Sequence, residues 1–501
     1  ILKPYKLVCD MHTSIYFGNE ISEWKYKELI DSKDSLLSNN DLPSYFHWEL
    51  EFPVTFLINY GFDIVIGNPP WVSYGLRGHS AINNLDEEYL RRTYADSAEY
   101  KLSLYAVFME AAIRLTASIG YQSFIVPDSF LLGKYFSQTR KFILSNTSIN
   151  RIILFIEDFW PGASIGRCVI YITRKEPISS KRSINQVKVI EAKTLNEFGQ
   201  GKICHNQYSQ NTFEKAYLNR FRLFFSDKSR LIVEKMEKSS IPMASVVKFY
   251  SGLIDKYGKD SIVIRELPSD YSAVLYGKLI SSGKYLRRYN VKFNNEYILR
   301  EKKLYKSGFD EKKYLSPKLF LNQTGDSFKA CYDTEGYFCL NNMHIGYPVS
   351  QIYDLRFINA ILCSRLMNYY YHLISLEMGR AMAQIDIETI DQLPLPSNNI
   401  QKGTGTADLP KGLAVQYEQY IKDPSKENMK DICAKIMEMN PHNSLVFLVK
   451  EIIDLYKTEE CSQPNGLIQI LAIDNLINCI VYHLYDLNEE EILFVEEQSN
   501  L

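Results

Sequence analysis

The chain has no Cys-x-x-Cys pair; its nine cysteines are scattered through 501 residues. That scatter excludes the common zinc-binding spacings and a disulfide scaffold, so no metal site is expected and a reducing cytoplasm is the expected compartment. There is no run of 18 uninterrupted apolar residues and no signal peptide at the start, so no membrane association is expected. Neither sign of charge dominates, with 57 Lys and Arg against 59 Asp and Glu, a net charge of −2. Nothing global therefore announces a polyanionic partner, and a nucleic-acid surface would have to gather its cations on one face. The chain opens on Ile1 rather than Met, which suggests a fragment or a processed form. What is present is ordinary globular material, 46% apolar and 13% aromatic, with 36 Tyr as the unusual count. The length suits two to four domains.

The most informative residues are Phe62 to Trp71. Phe62 to Ile66 is a short apolar run of the kind that forms a buried parallel strand. Gly67 ends it, and Asn68-Pro69-Pro70-Trp71 makes a stiff turn at the carboxyl end, the edge where open α/β sheets place their chemistry. The prolines fix φ and donate no N–H, so their carbonyls are free to accept. Asn68 adds an amide oxygen and Trp71 a flat apolar face. These parts can hold an aromatic amine, accept both of its N–H hydrogens and stack on its ring.

Asn-Pro-Pro-Trp after a hydrophobic strand resembles the catalytic motif of adenine-specific DNA amino-methyltransferases. The resemblance implies a flipped adenine whose exocyclic amine is held by the Asn68 side chain and the Pro69 carbonyl, with Pro70 stiffening the turn and Trp71 stacking on the base. It implies S-adenosylmethionine as cofactor, with Asn68 and Pro69 beside it. Beyond the turn, Leu104 to Ala117 reads as a helix with an apolar stripe of Leu104, Val107, Phe108, Ala111, Ala112 and Leu115. Gly120 punctuates, and Tyr121 to Val126, Arg151 to Ile156 and Cys168 to Thr173 read as strands, with a helix over Ser137 to Leu144. The last two strands form a plausible hairpin, and in the family an aromatic there covers the other face of the base. Trp160, before Pro161-Gly162, is the first choice for that role and Phe159 the reserve.

One departure stands out. The family carries a glycine-rich cofactor loop, followed by a ribose-binding carboxylate, ahead of the catalytic strand. Residues 1 to 60 show neither. Gly403-Thr404-Gly405 lies in a polar stretch after Pro394 and Pro396 and reads as linker. The missing loop is expected from an upstream region or a separate chain, together with any nuclease, since no convincing Asp…Glu-x-Lys core appears.

Residues 176 to 240 read as a connector, and a second unit is expected from 241 to 397. Within it, residues 284 to 318 interleave cations with Tyr and Phe, which suits a phosphate-tracking surface. The strands that follow resemble the target-recognition domain of Taq-type enzymes. By that resemblance Arg287, Arg288, Lys302, Lys303, Lys318, Gln323, Thr324, Asn341, Asn342 and His344 are the expected contacts to double-stranded DNA, with Gln and Asn suited to adenine edges. Residues 398 to 501 read as helical packing.

The expected fold is α/β: the later half of a Rossmann-like methyltransferase sheet (61 to 175, after an upstream segment 1 to 60), then an α+β recognition domain, then C-terminal helices. The expected activity is site-specific adenine-N6 methylation of DNA in a bacterial restriction-modification or phage-defence system, of the large combined restriction–methylation kind. A non-catalytic DNA-recognition subunit is the alternative, and methylation of RNA or of a protein glutamine a weaker third.

Overall fold

The computed structural model describes residues 3–19, 27, 44–74, 82–157, 159–160, 167–258, 262–266, 275–350, 352–375, 377, 383–397, 409, 412–458 and 463–499. The Gly403-Thr404-Gly405 stretch and Pro161-Gly162 lie outside them. The chain divides into two compact units, Ile1–Asp227 and Lys228–Leu501.

The first unit is built on a six-stranded mixed sheet. Its strands are β1 (Phe62–Gly67), β2 (Thr116–Pro127), β3 (Thr147–Phe155), β4 (Cys168–Lys175), β5 (Gln186–Ala192) and β6 (Cys204–Ser209), in the order β1-β2-β4-β3-β5-β6. β1 runs parallel to β2, and β3 parallel to β5. β3 and β4 pair antiparallel, as the hairpin reading expected. The helix α1 (Leu104–Leu115) supplies the crossover that the parallel pair β1–β2 requires, and α2 (Ser137–Asn146) connects β2 to β3.

Three expectations change here. The stretch 176 to 240 is not a connector alone, because β5 and β6 extend the sheet. The buried residues of α1 are Tyr105, Ala106, Val107, Met109, Glu110, Ala112 and Ile113; Val107 and Ala112 of the expected stripe are among them, while Phe108 is exposed. And β1 is not a buried strand. Among the described residues it pairs along one edge only, and Ile64 and Ile66 are 68% and 78% exposed. Apolar composition makes a strand fit for a covered position, but a second neighbour has to provide the cover.

Gly120 sits inside β2 rather than ending a helix. The β1–β2 register slips between Phe62 and Ile64, opposite Thr116 and Tyr121, and Ile119 at this irregularity takes a positive φ of 61°. A Cβ on Gly120 would lie 2.9 Å from the Phe62 carbonyl oxygen and 3.0 Å from that of Asp63. Arg140, fully buried, fastens the next layer: its guanidinium donates to the carbonyls of Phe130 (2.7 Å), Gly133 (2.8 Å), Leu218 (3.0 Å) and Asn219 (3.0 Å). A buried guanidinium is tolerated where its donors are met, as four of them are here.

The second unit holds a short pair, β7 (Ser240–Pro242) with β12 (Pro394–Pro396), that ties its beginning to the end of the recognition segment. Inside lies an antiparallel sheet of β8 (Val247–Ser251), β9 (Lys318–Asn322), β10 (Ala330–Asp333) and β11 (Met343–Pro348), ordered β10-β9-β11-β8. Residues 355 to 375 form two helices, α3 (Leu355–Cys363) and α4 (Arg365–Ser375), separated by Ser364 in extended backbone. A helical bundle follows: α5 (Lys426–Met439), α6 (Pro441–Lys457), α7 (Pro464–Leu484) and α8 (Glu489–Ser499). α7 is the one described helix long and apolar enough to cross a membrane, and 67% of its most apolar stretch is buried inside the fold. Its Asp474 accepts from Arg288 (2.5 Å) and Tyr289 (2.9 Å), a use of charge that marks a core helix.

Replacing Gly120 with Val is expected to separate β1 from β2 and to cost about 1–3 kcal/mol, as overpacking against fixed backbone does. Urea unfolding followed by tryptophan fluorescence checks this, because Trp48 and Trp71 flank the affected strand.

Candidate active site and nucleic-acid surface

The Asn-Pro-Pro-Trp turn is fixed at both ends. Before it, Gly67 stands opposite Phe124, and a Cβ on Gly67 would meet the Phe124 ring at 2.7 Å. After it, the Val72 carbonyl accepts from Leu104 N–H (2.9 Å) and Tyr74 N–H donates to the Leu102 carbonyl (2.8 Å), so the chain leaves the turn bonded to the start of α1. Between these anchors Asn68 and Pro70 are exposed, Pro69 is buried and Trp71 is half-buried. The Trp71 indole N–H donates to the Ile125 carbonyl at 3.3 Å, which orients the ring.

Trp71 rests on an apolar cluster formed by Ile153, Phe155, Cys168, Ile190 and Ala192, and Phe159 packs on the same cluster. Phe159 lies 5.0 Å from Phe155, and Trp160 sits edge-on to Phe159 at 4.8 Å and 81°. The structure thus brings Trp71 of the turn and Phe159 to one cluster, with Trp160 against Phe159. Burial pushes the Cys168 thiol up to about 12, so that residue packs and does not act as a nucleophile. The Ile125 carbonyl, which steers Trp71, has no signature in a linear sequence.

In the second unit the expected DNA contacts separate into two groups. Gln323, Thr324, Asn341 and Asn342 gather at one end of the β9–β11 pair. Gln323 N–H faces the Asn342 carbonyl at 3.4 Å, and the Asn342 amide donates to the Ser281 carbonyl at 2.9 Å. Thr324 and Asn341 are exposed there, as are Arg287, Lys302 and Lys303, although Lys303 is paired with Glu301 at 2.7 Å. Three others do not belong to a free surface. Lys318 is 0% exposed and its ammonium is held by the Asp333 carboxylate, itself 2% exposed, and by the Tyr314 carbonyl. His344 is buried, its Nε2 bonded to the Ile385 carbonyl at 2.7 Å, and burial lowers its pKa so that it stays neutral. Arg288 is committed to Asp474. Lys318 and His344 lie on β9 and β11, which are sandwiched by neighbours, and a basic residue in a central strand points into the fold as readily as out of it.

A cleft of about 790 Å³ adjoins this region, lined by Lys284, Arg287, Arg288, Lys329, Arg365 and His372 among others. Lys284, Arg287 and Lys329 are exposed on it, whereas Arg365 is bonded to Glu496 (2.9 Å) and Asn475 (2.8 Å). Sequence reading could not join Lys329 and α4 to this cleft, because only the folded sheet brings them beside the Leu286–Arg287 strand.

Residues 7–160 match the Eco57I restriction-modification methylase family, and residues 278–395 match the TaqI-like C-terminal specificity domain. The chain carries a restriction-modification methylase segment followed by a TaqI-like specificity domain. A Methanocaldococcus jannaschii protein assigned as a type II restriction enzyme and methyltransferase is 30% identical over 134 residues, 27% of this chain and 10% of that protein. The type II restriction enzyme and methyltransferase RM.Eco57I of Escherichia coli is 26% identical over 166 residues, 33% of this chain and 15% of that one. The chain thus spans a small part of the length of these curated relatives. Among solved structures, the type IIL restriction-modification enzyme MmeI in complex with DNA aligns over 98% of this chain and 62% of that chain, at 13% identity and a TM-score of 0.45. The methylase segment contains the Asn68–Trp71 turn and ends at Trp160, so both aromatic walls fall within it. The specificity domain contains every expected DNA contact from Arg287 to His344.

Lys318→Met is expected to destabilise the second unit by about 3–5 kcal/mol, since it strands Asp333 as a buried charge, and thermal denaturation reads this. Lys284→Ala and Arg287→Ala should leave stability nearly unchanged, and each should lower the salt slope of DNA affinity by about one, measured by fluorescence anisotropy across salt concentrations.

Proposed function

We propose that this chain provides the catalytic turn and the target-recognition surface of a site-specific DNA adenine-N6 methyltransferase, working in the cytoplasm of a bacterium as part of a restriction-modification or phage-defence system. The observation that carries this reading is the Asn68-Pro69-Pro70-Trp71 turn at the carboxyl end of a strand parallel to β2, with Trp71 and Phe159 on one apolar cluster. A flipped adenine would present its exocyclic amine to the Asn68 side-chain oxygen and the Pro69 carbonyl. Two acceptors for the two N–H hydrogens leave the nitrogen lone pair directed away from the ring plane, toward a methyl donor. Trp71 would stack on one face of the base, and Phe159 or Trp160 would close the other, each such contact contributing about 1–3 kcal/mol toward the cost of unstacking. Double-stranded DNA would lie along the exposed Lys284, Arg287, Thr324 and Asn341.

S-adenosylmethionine supplies the methyl group when bound. The described residues fit the acceptor side of that transfer, through Asn68 and Pro69. The donor side needs a glycine-rich strand-to-helix turn and a carboxylate for the ribose, and the sequence before β1 offers neither. A second reading is therefore kept, favoured by the free edge of β1 and its exposed Ile64 and Ile66. In it the chain reads DNA and gains the transfer activity from a cofactor-binding half, on the same polypeptide upstream or on a separate chain.

The test is calorimetric titration with S-adenosylmethionine, followed by transfer of labelled methyl to adenine in duplex DNA. Binding and transfer by the chain alone, with transfer reduced roughly 10²–10³-fold or more in Asn68→Ala, supports the catalytic reading. DNA binding without cofactor binding supports the second reading. A chain that binds neither ligand overturns both. Trp71→Ala should weaken base extrusion, read as lost fluorescence gain from 2-aminopurine at the target position.

A further inference from the structure

The C-terminal bundle holds a cluster of soft donors that the Cys-x-x-Cys criterion could not reveal. Cys433 lies on α5, and Cys479 and His483 lie one turn apart on α7, where i and i+4 residues share a face. One ligand atom from each, the two sulfurs and a ring nitrogen, falls within 4.8 Å of the other two. Cys433 Sγ is 3.8 Å from His483 Nδ1. Both cysteines are buried, at 1% and 7% exposure, while His483 is exposed, so the donors line a short path from solvent to the helix interface.

We propose that Cys433, Cys479 and His483 bind a zinc-class divalent cation that staples α5 to α7. Two thiolates and an imidazole match the borderline-soft character of Zn²⁺. With metal–sulfur bonds of about 2.3 Å and metal–nitrogen bonds near 2.05 Å at tetrahedral angles, sulfur and nitrogen ligands stand roughly 3.6 Å apart and two sulfurs roughly 3.8 Å apart. The ion-free separations need to contract by at most about 1 Å to meet this, well within the reach of side-chain rotation. In the ion-free chain His483 Nδ1 lies 2.8 Å from the Cys479 carbonyl, to which an Nδ1–H would donate. Metal binding moves that proton to Nε2 and releases the two thiol protons. The fourth position falls to water or to Glu489, which begins α8 and is held over this end of α5 by Lys430 at 2.8 Å. Lys430 is three residues before Cys433 on the same helix, so the pair brings a carboxylate to the mouth of the cluster.

Buried cysteines alone would be read as small apolar packing groups. The third donor sets this cluster apart: an imidazole at the exposed end brings a ring nitrogen to two buried sulfurs. The site is independent of the methyltransferase reading, since it lies outside both matched segments.

The whole chain, reduced and freed of metal, is titrated with Co²⁺ and then Zn²⁺. The expected result is a stoichiometric thiolate-to-cobalt charge-transfer band with tetrahedral visible absorption, displaced by Zn²⁺, and a melting temperature that rises with zinc. His483→Gln, at an exposed position that leaves the core intact, should lose or greatly weaken the band. Cys479→Ser should abolish it, and Cys204→Ser, altering the exposed cysteine of β6, should leave it unchanged. No stoichiometric cobalt band in the wild type overturns the proposal, as does a band that survives both His483→Gln and Cys479→Ser. A Cys433–Cys479 disulfide that forms in preference to metal uptake under reducing conditions overturns it as well.

Discussion

The pairing of β1 with β2 is the constraint on which the first unit depends. It has to bring two backbones close enough that a side chain at Gly120 would strike the Phe62 and Asp63 carbonyls. That approach slips the register at the beginning of β1 and restores it by Ile64, so that Gly67 ends opposite Phe124 and the chain turns at a defined height on the sheet. Everything the turn presents follows from that height. Trp71 reaches the Ile125 carbonyl, one residue beyond Phe124, because the strand ends there. Val72 and Tyr74 then meet the start of α1, which closes the turn from its far side. A motif of four residues becomes a site because its neighbours in the sheet leave it no other place to go.

The sequence made much of this visible, for physical reasons particular to these residues. The prolines and the apolar strand before them announce a rigid turn at a strand end, and the period-2 and period-3.6 patterns locate β2, β3, β4, α1 and α2 within a few residues. What it left hidden depends on partners distant along the chain. Phe108 looked like part of a helix stripe, but Tyr105 and Met109 are buried and Phe108 is exposed, and a stripe shifted by one residue satisfies the same periodicity. Val187 to Ile190 lies in β5, whose place beside β3 could not be seen without the sheet. The three-donor cluster of α5 and α7 was invisible because its ligands converge only when two helices pack.

The specificity domain teaches a different lesson about charge. A lysine in a stretch crowded with cations invites a reading as a phosphate contact, and for Lys284 and Arg287 the exposure supports that. Lys318 belongs to the same stretch and is buried, because it falls on β9, whose five residues are all covered. Burial raises the pKa of Asp333 while the adjacent ammonium opposes that rise, so the pair survives as mutual compensation within a core, not as a surface reserve. Surface cations contribute to a nucleic-acid interface through counterion release, which a desolvated and paired lysine cannot do.

The outer edge of β1, unpaired among the described residues, joins these observations. A strand with two isoleucines on one face, paired on a single side, has the composition of a central strand and the surroundings of an edge strand. Edge strands are ordinarily blunted by charge, proline or bulges. The register irregularity lies in β2, where the step from Thr116 to Tyr121 matches the step from Phe62 to Ile64, so it falls on the paired side of β1. The proline pair lies past the strand and shapes the turn without blocking the edge. Asn68, the residue of the proposed amine contact, is exposed just past the end of β1. On the proposed reading, a cofactor-binding half added along β1 would meet the Asn68–Trp71 turn at the carboxyl edge of the sheet, where open α/β sheets place their ligands. The end of β1 that exposes Asn68 is also the end of its outer edge, so on that reading pairing along the edge and supplying a methyl donor beside Asn68 would be one event.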